Sequence, residues 1–421
     1  MTVAELADVW RQESAHVLGA LLRRHGDLAD CEDAAQEALE AAARQWPQEG
    51  RPDSPRGWLV RVASRRLVDQ VRADRSRTAR EQGEAGARPA DAWTVPAADT
   101  GSGASTDDPL ELLLLCCHPA LSRTSQVALT LRAVSGLGTA EVARAFLVPE
   151  ATMAQRLSRA RATLRSAGAR FGRPGPDELP ARVAAVLDVL HVVFTEGSTR
   201  SSGAVLVDAA LTTEAVRLTR RLRALLPDHD EVAGALALML ITAARHAARA
   251  DERGDLVPLE EQDRSRWDAA LTAEGVQILE QVLPRGHLGR YQLQAAIAAV
   301  HAEAASAADT DWRQILLLYA HLEQLAPAPA VTLNRAVAAG MALGPEHGLA
   351  LLATVADDPA LRRHHRFFAV RAHLRERAGD VDGALADYRQ AGRLTASLPE
   401  QRYLNARAGR LAARRSAPTP R

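Results

Sequence analysis

Four polar side chains between residues 152 and 159 have the chemistry to read a nucleic acid. Arginine and glutamine can form paired hydrogen bonds with base edges, and a threonine hydroxyl can bond to several bases. Their spacing places them on the solvent side of an α-helix, and an apolar stripe repeats every three or four residues on the other side. We therefore predict a DNA contact by Thr152, Gln155, Arg156 and Arg159.

The segment that must position them, Thr139–Arg165, reads TAEVARAFLVPEATMAQRLSRARATLR. It predicts a helix to Phe146, a turn over residues 147–149 and a second helix, which is helix-turn-helix geometry. Proline suits this turn because a helix start needs no intrahelical N–H donor. The first residues of the second helix would reach base edges, and arginines further along, such as Arg165, would contact phosphates. A helical hairpin with a solvated basic face is the alternative.

A second basic segment, Pro55–Arg80, reads PRGWLVRVASRRLVDQVRADRSRTAR. Residues 56–80 contain eight arginines and two acids. We predict a helix that Trp58 anchors at its start and that buries an apolar stripe from Leu59 to Val71. The polar side chains around this stripe include Arg61, Arg65, Arg66, Asp69 and Arg72, and the basic charge of this surface favours contact with DNA.

The first fifty residues are acidic, with ten acids against four arginines. A surface of this sign repels phosphate and favours a basic protein partner. Four polar residues of this block follow one another at helical spacing: Asp30, Asp33, Gln36 and Glu37.

The composition favours an all-α fold. The 421 residues include 52 cations, all arginine, and 52 acids, while aromatic residues make up only 4%. Alanine, leucine and arginine are good helix formers, so a β-sandwich or β-barrel is excluded. The longest nearly apolar stretch, Ala233–Ala244, is shorter than a membrane span of about 20 residues. The opening residues MTVAELADVW lack a secretion signal, so we expect a reducing compartment and no membrane.

Helical periodicity fails between Glu81 and Pro109, a stretch rich in Gly, Ala, Pro and Ser that we interpret as a flexible linker. The sequence GRPGP after Phe171 marks a second boundary. Near the carboxy terminus, Ala336 and Gly348 precede Ala372 and Ala384 by 36 residues, which is typical of tetratricopeptide-like repeats. Ordinary helical packing is the alternative. The predicted parts are 1–80, a linker 81–109, a helix-turn-helix domain 110–172, a helical domain 178–300 and repeats 301–415.

These segments resemble the extracytoplasmic-function (ECF) sigma factors of bacterial RNA polymerase. The run LADCEDAAQEALEAAARQWP, residues 28–47, is similar to the family's polymerase-binding helix, whose pattern D-x-x-D-x-x-Q-E falls on Asp30, Asp33, Gln36 and Glu37. The resemblance implies that these four residues bind the polymerase. Trp58, Leu59, Asp69 and Arg72 match the promoter-melting helix, although Arg65 replaces its usual asparagine and Ala73 its second arginine. Residues 152–161 match the motif T-[VM]-x-x-R-L-x-R-A-R of the family's −35 reading module.

The resemblance covers residues 1 to about 170 and implies a σ2-like domain, a linker and a σ4-like domain. It implies that the chain binds core RNA polymerase and promoter DNA, reading the −10 element with the Arg56–Arg80 segment and the −35 element with the helix-turn-helix. Phrases such as CCHPALS and LEEQDRSRWD resemble a subgroup with a long carboxy-terminal helical extension. This extension is expected to regulate the factor in cis, through a protein or small-molecule partner.

We find no sequence basis for catalysis, a cofactor or a metal site. The chain has no Gly-rich phosphate loop, no H-E-x-x-H and no G-x-S-x-G. Cys116, Cys117 and His118 lack the further ligand that a tetrahedral site needs, so we interpret the cysteines as buried thiols. The polar cluster around Trp267 is open to two interpretations, a ligand or interdomain contact and a charged helix start.

Two other function classes stay open on the residues alone. A one-component regulator would bind operator DNA through the helix-turn-helix and a small ligand in the helical region, without polymerase. A repeat scaffold would use its basic segments for protein contacts and would lack the salt-dependent DNA affinity that phosphate contacts give.

Overall fold

The computed structural model describes residues 3–81, 107–359 and 361–416, and the predicted linker, 81–109, falls almost entirely outside them. The chain forms two compact units, residues 1–190 (unit 1) and 191–421 (unit 2). The division falls inside a helix, Leu179–Ser198. The finer domain bounds given above stay a prediction.

Unit 1 consists of helices joined by short turns, each with a local cause. Gly26, at φ +79°, ends the first helix in a left-handed conformation that glycine adopts without steric cost. Asp27 then caps the second helix, because its Oδ1 accepts hydrogen bonds from the backbone N–H groups of Ala29 and Asp30. The helices are α1 (Val3–His25), α2 (Leu28–Glu49), α3 (Pro55–Glu81), α4 (Asp108–Cys116), α5 (Arg123–Leu129), α6 (Thr139–Ala145), α7 (Glu150–Ser166) and the first part of α8 (Leu179–Ser198).

Helix α1 packs closely against the elements that precede the predicted helix-turn-helix. A Cβ atom at Gly19 would lie 2.5 Å from the Cβ of Asp108, so these backbones approach as nearly as glycine allows. Ser14 Oγ donates a 3.1 Å hydrogen bond to the carbonyl of Val134 in a π-helical turn after α5. The σ2-like and σ4-like segments therefore share one core in unit 1.

Unit 2 is also helical apart from short extended pieces. The last residues of α8 belong to it, and two strands of two residues each, β1 (Ser202–Gly203) and β2 (Ala396–Ser397), pair in parallel. The other helices are α9 (Ala209–Leu225), α10 (Asp230–Ala243), α11 (Ala269–Val282), α12 (Arg290–Glu303), α13 (Trp312–Leu325), α14 (Pro329–Leu343), α15 (Pro345–Ala353), α16 (His365–Arg377), α17 (Val381–Leu394) and α18 (Leu398–Ser416).

Helix α10 is the centre of the first half of unit 2, where α9, α11 and α12 pack around it. Its residues from Val232 to Ile241 are all buried. Among the residues that the structure describes, the stretch Asp230–Ala248 alone is long and apolar enough to cross a membrane, with a mean hydropathy of 1.2, and 67% of its apolar window is buried inside the fold. Such burial is typical of a core helix.

From α12 onward, each helix packs on the next one along the chain. Ala336 of α14 and Ala372 of α16, which lie 36 residues apart, are both fully buried. Gly348 of α15 and Ala384 of α17 have the same separation and are also buried. The repeat itself stays a prediction, although the paired positions occupy corresponding helices.

Candidate nucleic-acid and polymerase interfaces

A tight turn joins α6 to α7 at the residues predicted from the sequence. The N–H of Val148 bonds to the carbonyl of Ala143, and the N–H of Leu147 bonds to the carbonyl of Arg144. This pair of bonds is a Schellman motif, in which Leu147 takes the left-handed position at φ +52° that glycine usually fills. The carbonyl of Pro149 then accepts the first hydrogen bonds of α7. The turn thus fixes the direction in which α7 leaves α6.

Helix α7 has one buried and one accessible side. Thr152, Gln155 and Arg159 are exposed, and the half-buried Arg156 lies over the ring of Phe146 with its guanidinium carbon 5.5 Å from the ring centroid. The side chains that anchor the helix in the core are Met153, Leu157, Ala160 and Leu164. All four predicted DNA-binding residues thus lie off the buried stripe, near the amino-terminal end of the helix.

Two later arginines of α7 are engaged by α2. Arg161 Nε donates a 2.6 Å hydrogen bond to Oε2 of Glu32. Arg165, which the sequence suggested for phosphate contact, donates through Nε to Oδ2 of Asp27 at 2.7 Å. Arg132 stands 3.9 Å from the other oxygen of Glu32. In this arrangement, acids of α2 pair with arginines that would otherwise be available to DNA phosphates.

The carboxyl group of Glu32 is almost completely buried, with 3% of its side chain exposed. Burial raises the pKa of Glu32, and the neighbouring guanidinium groups of Arg161 and Arg132 only partly offset that effect. The ionised form therefore depends on its arginine partners. Sequence analysis missed this role because Glu32 lies within the acidic run and its partner Arg161 is 129 positions away.

The predicted polymerase-binding residues lie on the accessible surface of α2. Asp30, Asp33 and Glu37 are exposed, and Gln36 is half-buried. An ion pair between Arg66 Nε and Glu37 Oε2, at 3.4 Å, links the edge of this acidic surface to α3. The structure thus brings the four residues together on one helix.

Helix α3 presents the predicted −10 residues to solvent. The exposed side chains are Arg61, Arg65, Arg66 and Asp69, while the backbone of Arg72 continues the helix and its side chain lies outside the described residues. Trp58 is half-buried and packs edge to face on Trp46 of α2, with ring centroids 5.3 Å apart. Its indole therefore anchors α3 to α2, as expected.

The cysteine pair lies inside the core. Cys116 and Cys117 are buried free thiols, and burial raises the pKa of Cys117 to about 12. Cys117 Sγ lies 3.9 Å from Oγ1 of Thr130. Within the part of the chain that the structure describes, no three His, Cys, Asp or Glu side chains group to hold a metal ion.

The polar cluster around Trp267 belongs to unit 2 and includes a helix start, one of the two interpretations that the sequence left open. Asp268 caps α11 by accepting from the N–H of Leu271 at 3.0 Å, as at a helix start. The indole of Trp267 also packs against two guanidinium groups, whose carbon atoms lie 5.3 Å (Arg245) and 4.7 Å (Arg264) from the ring centroid. Sequence analysis missed Arg245, although an arginine that follows the apolar run Val232–Ile241 by four residues is a signal that could have identified it.

Comparisons with known proteins match three parts of the chain to family models. Residues 9–77 match the family model for sigma-70 region 2, and residues 111–164 match that for sigma-70 region 4. Residues 182–283 match a family of unknown function, DUF6596. An uncharacterized protein of Rhizobium meliloti is 39% identical over 397 residues, which cover 94% of this chain and 93% of that protein.

A second relative has an assigned role. The probable ECF RNA polymerase sigma factor SigI of Mycobacterium tuberculosis is 30% identical over 152 residues, which are 36% of this chain. The alignment spans 51% of SigI, about half of its length. No solved structure matches the chain.

Proposed function

Because the chain belongs to the ECF sigma factors that carry a carboxy-terminal extension, we propose that it binds core RNA polymerase and directs transcription initiation at a narrow set of promoters. One observation supports this most strongly. The acidic surface of α2, the basic surface of α3 and the polar end of α7 are three accessible surfaces of distinct chemistry. A protein that acts by binding a polymerase and two DNA elements needs such surfaces, and it needs no catalytic group of its own.

Each surface is assigned to one partner. Asp30, Asp33, Gln36 and Glu37 would bind a basic patch of the polymerase, as complementary charge favours. The α3 residues Arg61, Arg65, Arg66, Asp69 and Arg72 would hold the −10 element. The α7 residues Thr152, Gln155, Arg156 and Arg159 would read the −35 element in the major groove.

The contacts between α2 and α7 belong to a closed form of unit 1. The −10 and −35 elements are named by their positions in base pairs, so they lie about 25 base pairs apart. At a rise of about 3.4 Å per base pair, this separation is about 85 Å. Ion pairs join Glu32 to Arg161 and Asp27 to Arg165 between α2 and α7, and the buried Glu32 pair holds the two helices in direct contact. Both elements can be bound at once only after these pairs separate, so we propose that the closed form is the resting state.

We further propose that the extension regulates this factor in cis. Unit 2 has its own core around α10 and exceeds what promoter recognition requires. The predicted parts, including tetratricopeptide-like repeats in residues 301–415, would give it a surface for a protein or small-molecule partner. The factor would work in the cytoplasm, where the polymerase transcribes.

Transcription in vitro with core polymerase tests the −35 assignment. We expect the double variant Arg156→Ala and Arg159→Ala to lose most promoter-specific transcript while still binding core polymerase. Removing one good base contact costs about 1–3 kcal/mol, so two should reduce promoter occupancy at least tenfold. A matched control removes two exposed arginines of unit 2, Arg313 and Arg363. Equal transcript from both double variants would refute the assignment.

The extension is tested with a chain that ends after Ser198 and so keeps all of α8. Its binding to core polymerase reports that unit 1 is folded. We expect the shortened chain to bind the polymerase but to give a different amount of transcript. The same output from both chains would contradict regulation in cis.

A further inference from the structure

Unit 2 contains three half-buried arginines that have no carboxylate at ion-pair distance, and we call Arg245, Arg249 and Arg264 the arginine cluster. Arg245 follows α10, Arg249 lies four residues later, and Arg264 lies in a short 3₁₀ turn before α11. Arg245 is within electrostatic range of both other members. In the described part of the chain, no carboxylate lies within ion-pair distance of any of the three.

Neutral groups hold the cluster in place. Arg245 Nε donates to Oε1 of Gln262 at 3.3 Å, and Arg249 Nη2 donates to Oγ1 of Thr199. Arg264 Nη1 donates to the carbonyl of Ala304 at 2.8 Å. These partners position the guanidinium groups but do not neutralise their charge.

Two acids act on the cluster from beyond ion-pair distance, Glu400 on Arg249 and Asp309 on Arg264, while Arg366 adds a further positive charge beside Arg249. Glu400 is already bound by Nε2 of His365 at 3.0 Å and by the hydroxyl of Thr395 at 2.8 Å. Asp309, the acid that acts on Arg264, accepts a 2.7 Å hydrogen bond from Ser306. Burial and the neighbouring arginines lower the pKa of Arg245 to about 9. Four arginines thus face two acids, so the net local charge is positive and unfavourable to bury.

Two arginines of the cluster and Trp267 each have an unpaired donor. Nε of Arg249, Nη2 of Arg264 and Nε1 of Trp267 are buried N–H groups without a hydrogen-bond partner. A group that satisfies these three donors must be a hydrogen-bond acceptor, and a group that neutralises the unpaired arginines must be an anion. Oxyanions meet both requirements, because guanidinium groups bind carboxylate and phosphate oxygens through charge-assisted hydrogen bonds.

We propose that the arginine cluster and Trp267 form a binding site for the oxyanion of a small molecule, a phosphate or carboxylate group. Arg249 and Arg264 donate to the oxyanion, and Trp267 adds its N–H group. All three arginines and Trp267 are half-buried, so the site keeps some exposure to solvent. The binding step does not depend on the sigma-factor role, whereas its use as a signal for transcription rests on the proposed function.

The test is thermal unfolding of the full chain with inorganic phosphate in one arm and acetate in the other, each from 0 to about 20 mM against sodium chloride at equal ionic strength. A ligand that binds only the native state raises the unfolding temperature with a saturating dependence on concentration. We expect a rise of about 3 °C or more for unit 2 in at least one arm. A rise with phosphate alone or acetate alone identifies the chemistry of the ligand, and both outcomes support the site.

Variants assign the effect to the cluster. Arg249→Gln and Trp267→Phe each remove an unpaired donor, and each should lose at least half of the rise. Arg264→Gln serves in the same way if either variant does not fold. The matched control is Arg266→Gln, an exposed arginine two positions from Arg264. No saturable rise in either arm, or an equal rise in the cluster variants and the control, would overturn the proposal.

Discussion

The two units of the molecule both bury arginine side chains, but they treat the charge in opposite ways. In unit 1, Arg161 meets the buried carboxylate of Glu32 at 2.6 Å, so the pair is complete within the chain. In unit 2, Arg249 and Arg264 keep donors that meet no acceptor among the described residues. A completed pair holds helices together, whereas an incomplete one is suited to a ligand. The same guanidinium chemistry therefore forms a structural contact in unit 1 and a candidate binding site in unit 2.

The largest effect is expected where the completed pair is broken. Arg161→Ala leaves Glu32 buried with only the more distant Arg132, and loss of one partner from a buried ion pair costs about 3–5 kcal/mol. Hydrogen exchange of the α2 and α7 amides, followed by mass spectrometry, measures the loss.

The companion variant Glu32→Gln with Arg161→Ala removes both charges. We expect it to recover most of the lost protection, because the penalty comes from the unpaired carboxylate. If Arg161→Ala retained wild-type protection, or if the double variant were no better, the Glu32 pair would not hold unit 1 closed.

Acid should weaken unit 2 through two histidines beside the arginine cluster. Burial, followed by nearby arginines, lowers the pKa of both His246 and His301 to about 4. In the unfolded chain histidine titrates near 6.5, so the unfolded state binds more protons between pH 6.5 and 4. The stability that the two neutral histidines contribute is fully present above about pH 6.5. It falls as the pH is lowered to about 4, by about 2–3 kcal/mol for each histidine.

Urea unfolding of unit 2 across this pH range measures the fall, with the double variant His246→Gln and His301→Gln for comparison. The variant should have a flatter profile. Identical profiles for the two proteins would show that these histidines are not held neutral by burial.

Substitution of an arginine that has no carboxylate partner should change the free energy of unfolding less. Arg249→Gln removes a buried charge that has no counter-ion, and it also removes a hydrogen bond to Thr199. These contributions oppose each other, so the unfolding free energy in chloride buffer should stay within about 1 kcal/mol of wild type. A loss as large as that of Arg161→Ala would mean that the arginine cluster is satisfied as it stands.

The smallest effect is expected for an exposed ion pair between the same two helices of unit 1. The Arg165–Asp27 bond has nearly the same length as the Glu32 pair, but 61% of the Arg165 side chain is exposed. Solvent screens such pairs. Arg165→Ala should therefore leave the protection of α2 unchanged within error, and a loss comparable to that of Arg161→Ala would show that burial is not the deciding factor.

Sequence periodicity sufficed for the local structure of the helix-turn-helix. The spacing of Met153, Leu157, Ala160 and Leu164 predicted the buried side of α7, and the structure buries all four. The exposure of Thr152, Gln155 and Arg159 follows from the same periodicity. Their roles in binding DNA stay predictions, since exposure alone does not identify a partner.

Long-range contacts could not be predicted in this way. Periodicity does not reveal that Glu32 meets Arg161, because this pairing depends on how α7 packs against α2. Likewise, Arg245 and Arg264 meet at Trp267 only after the chain has folded around α10. The sequence identified the polar cluster around Trp267, but only the three-dimensional arrangement shows which of its charges lack partners.

The most direct test of the central claim is size-exclusion chromatography of the full chain with bacterial core RNA polymerase at moderate salt. A sigma factor should co-elute with the polymerase at one to one stoichiometry. A variant that reverses the acidic surface of α2, Asp33→Arg with Glu37→Arg, should elute separately. The account would be contradicted if both the full chain and the chain ending after Ser198 eluted without the polymerase.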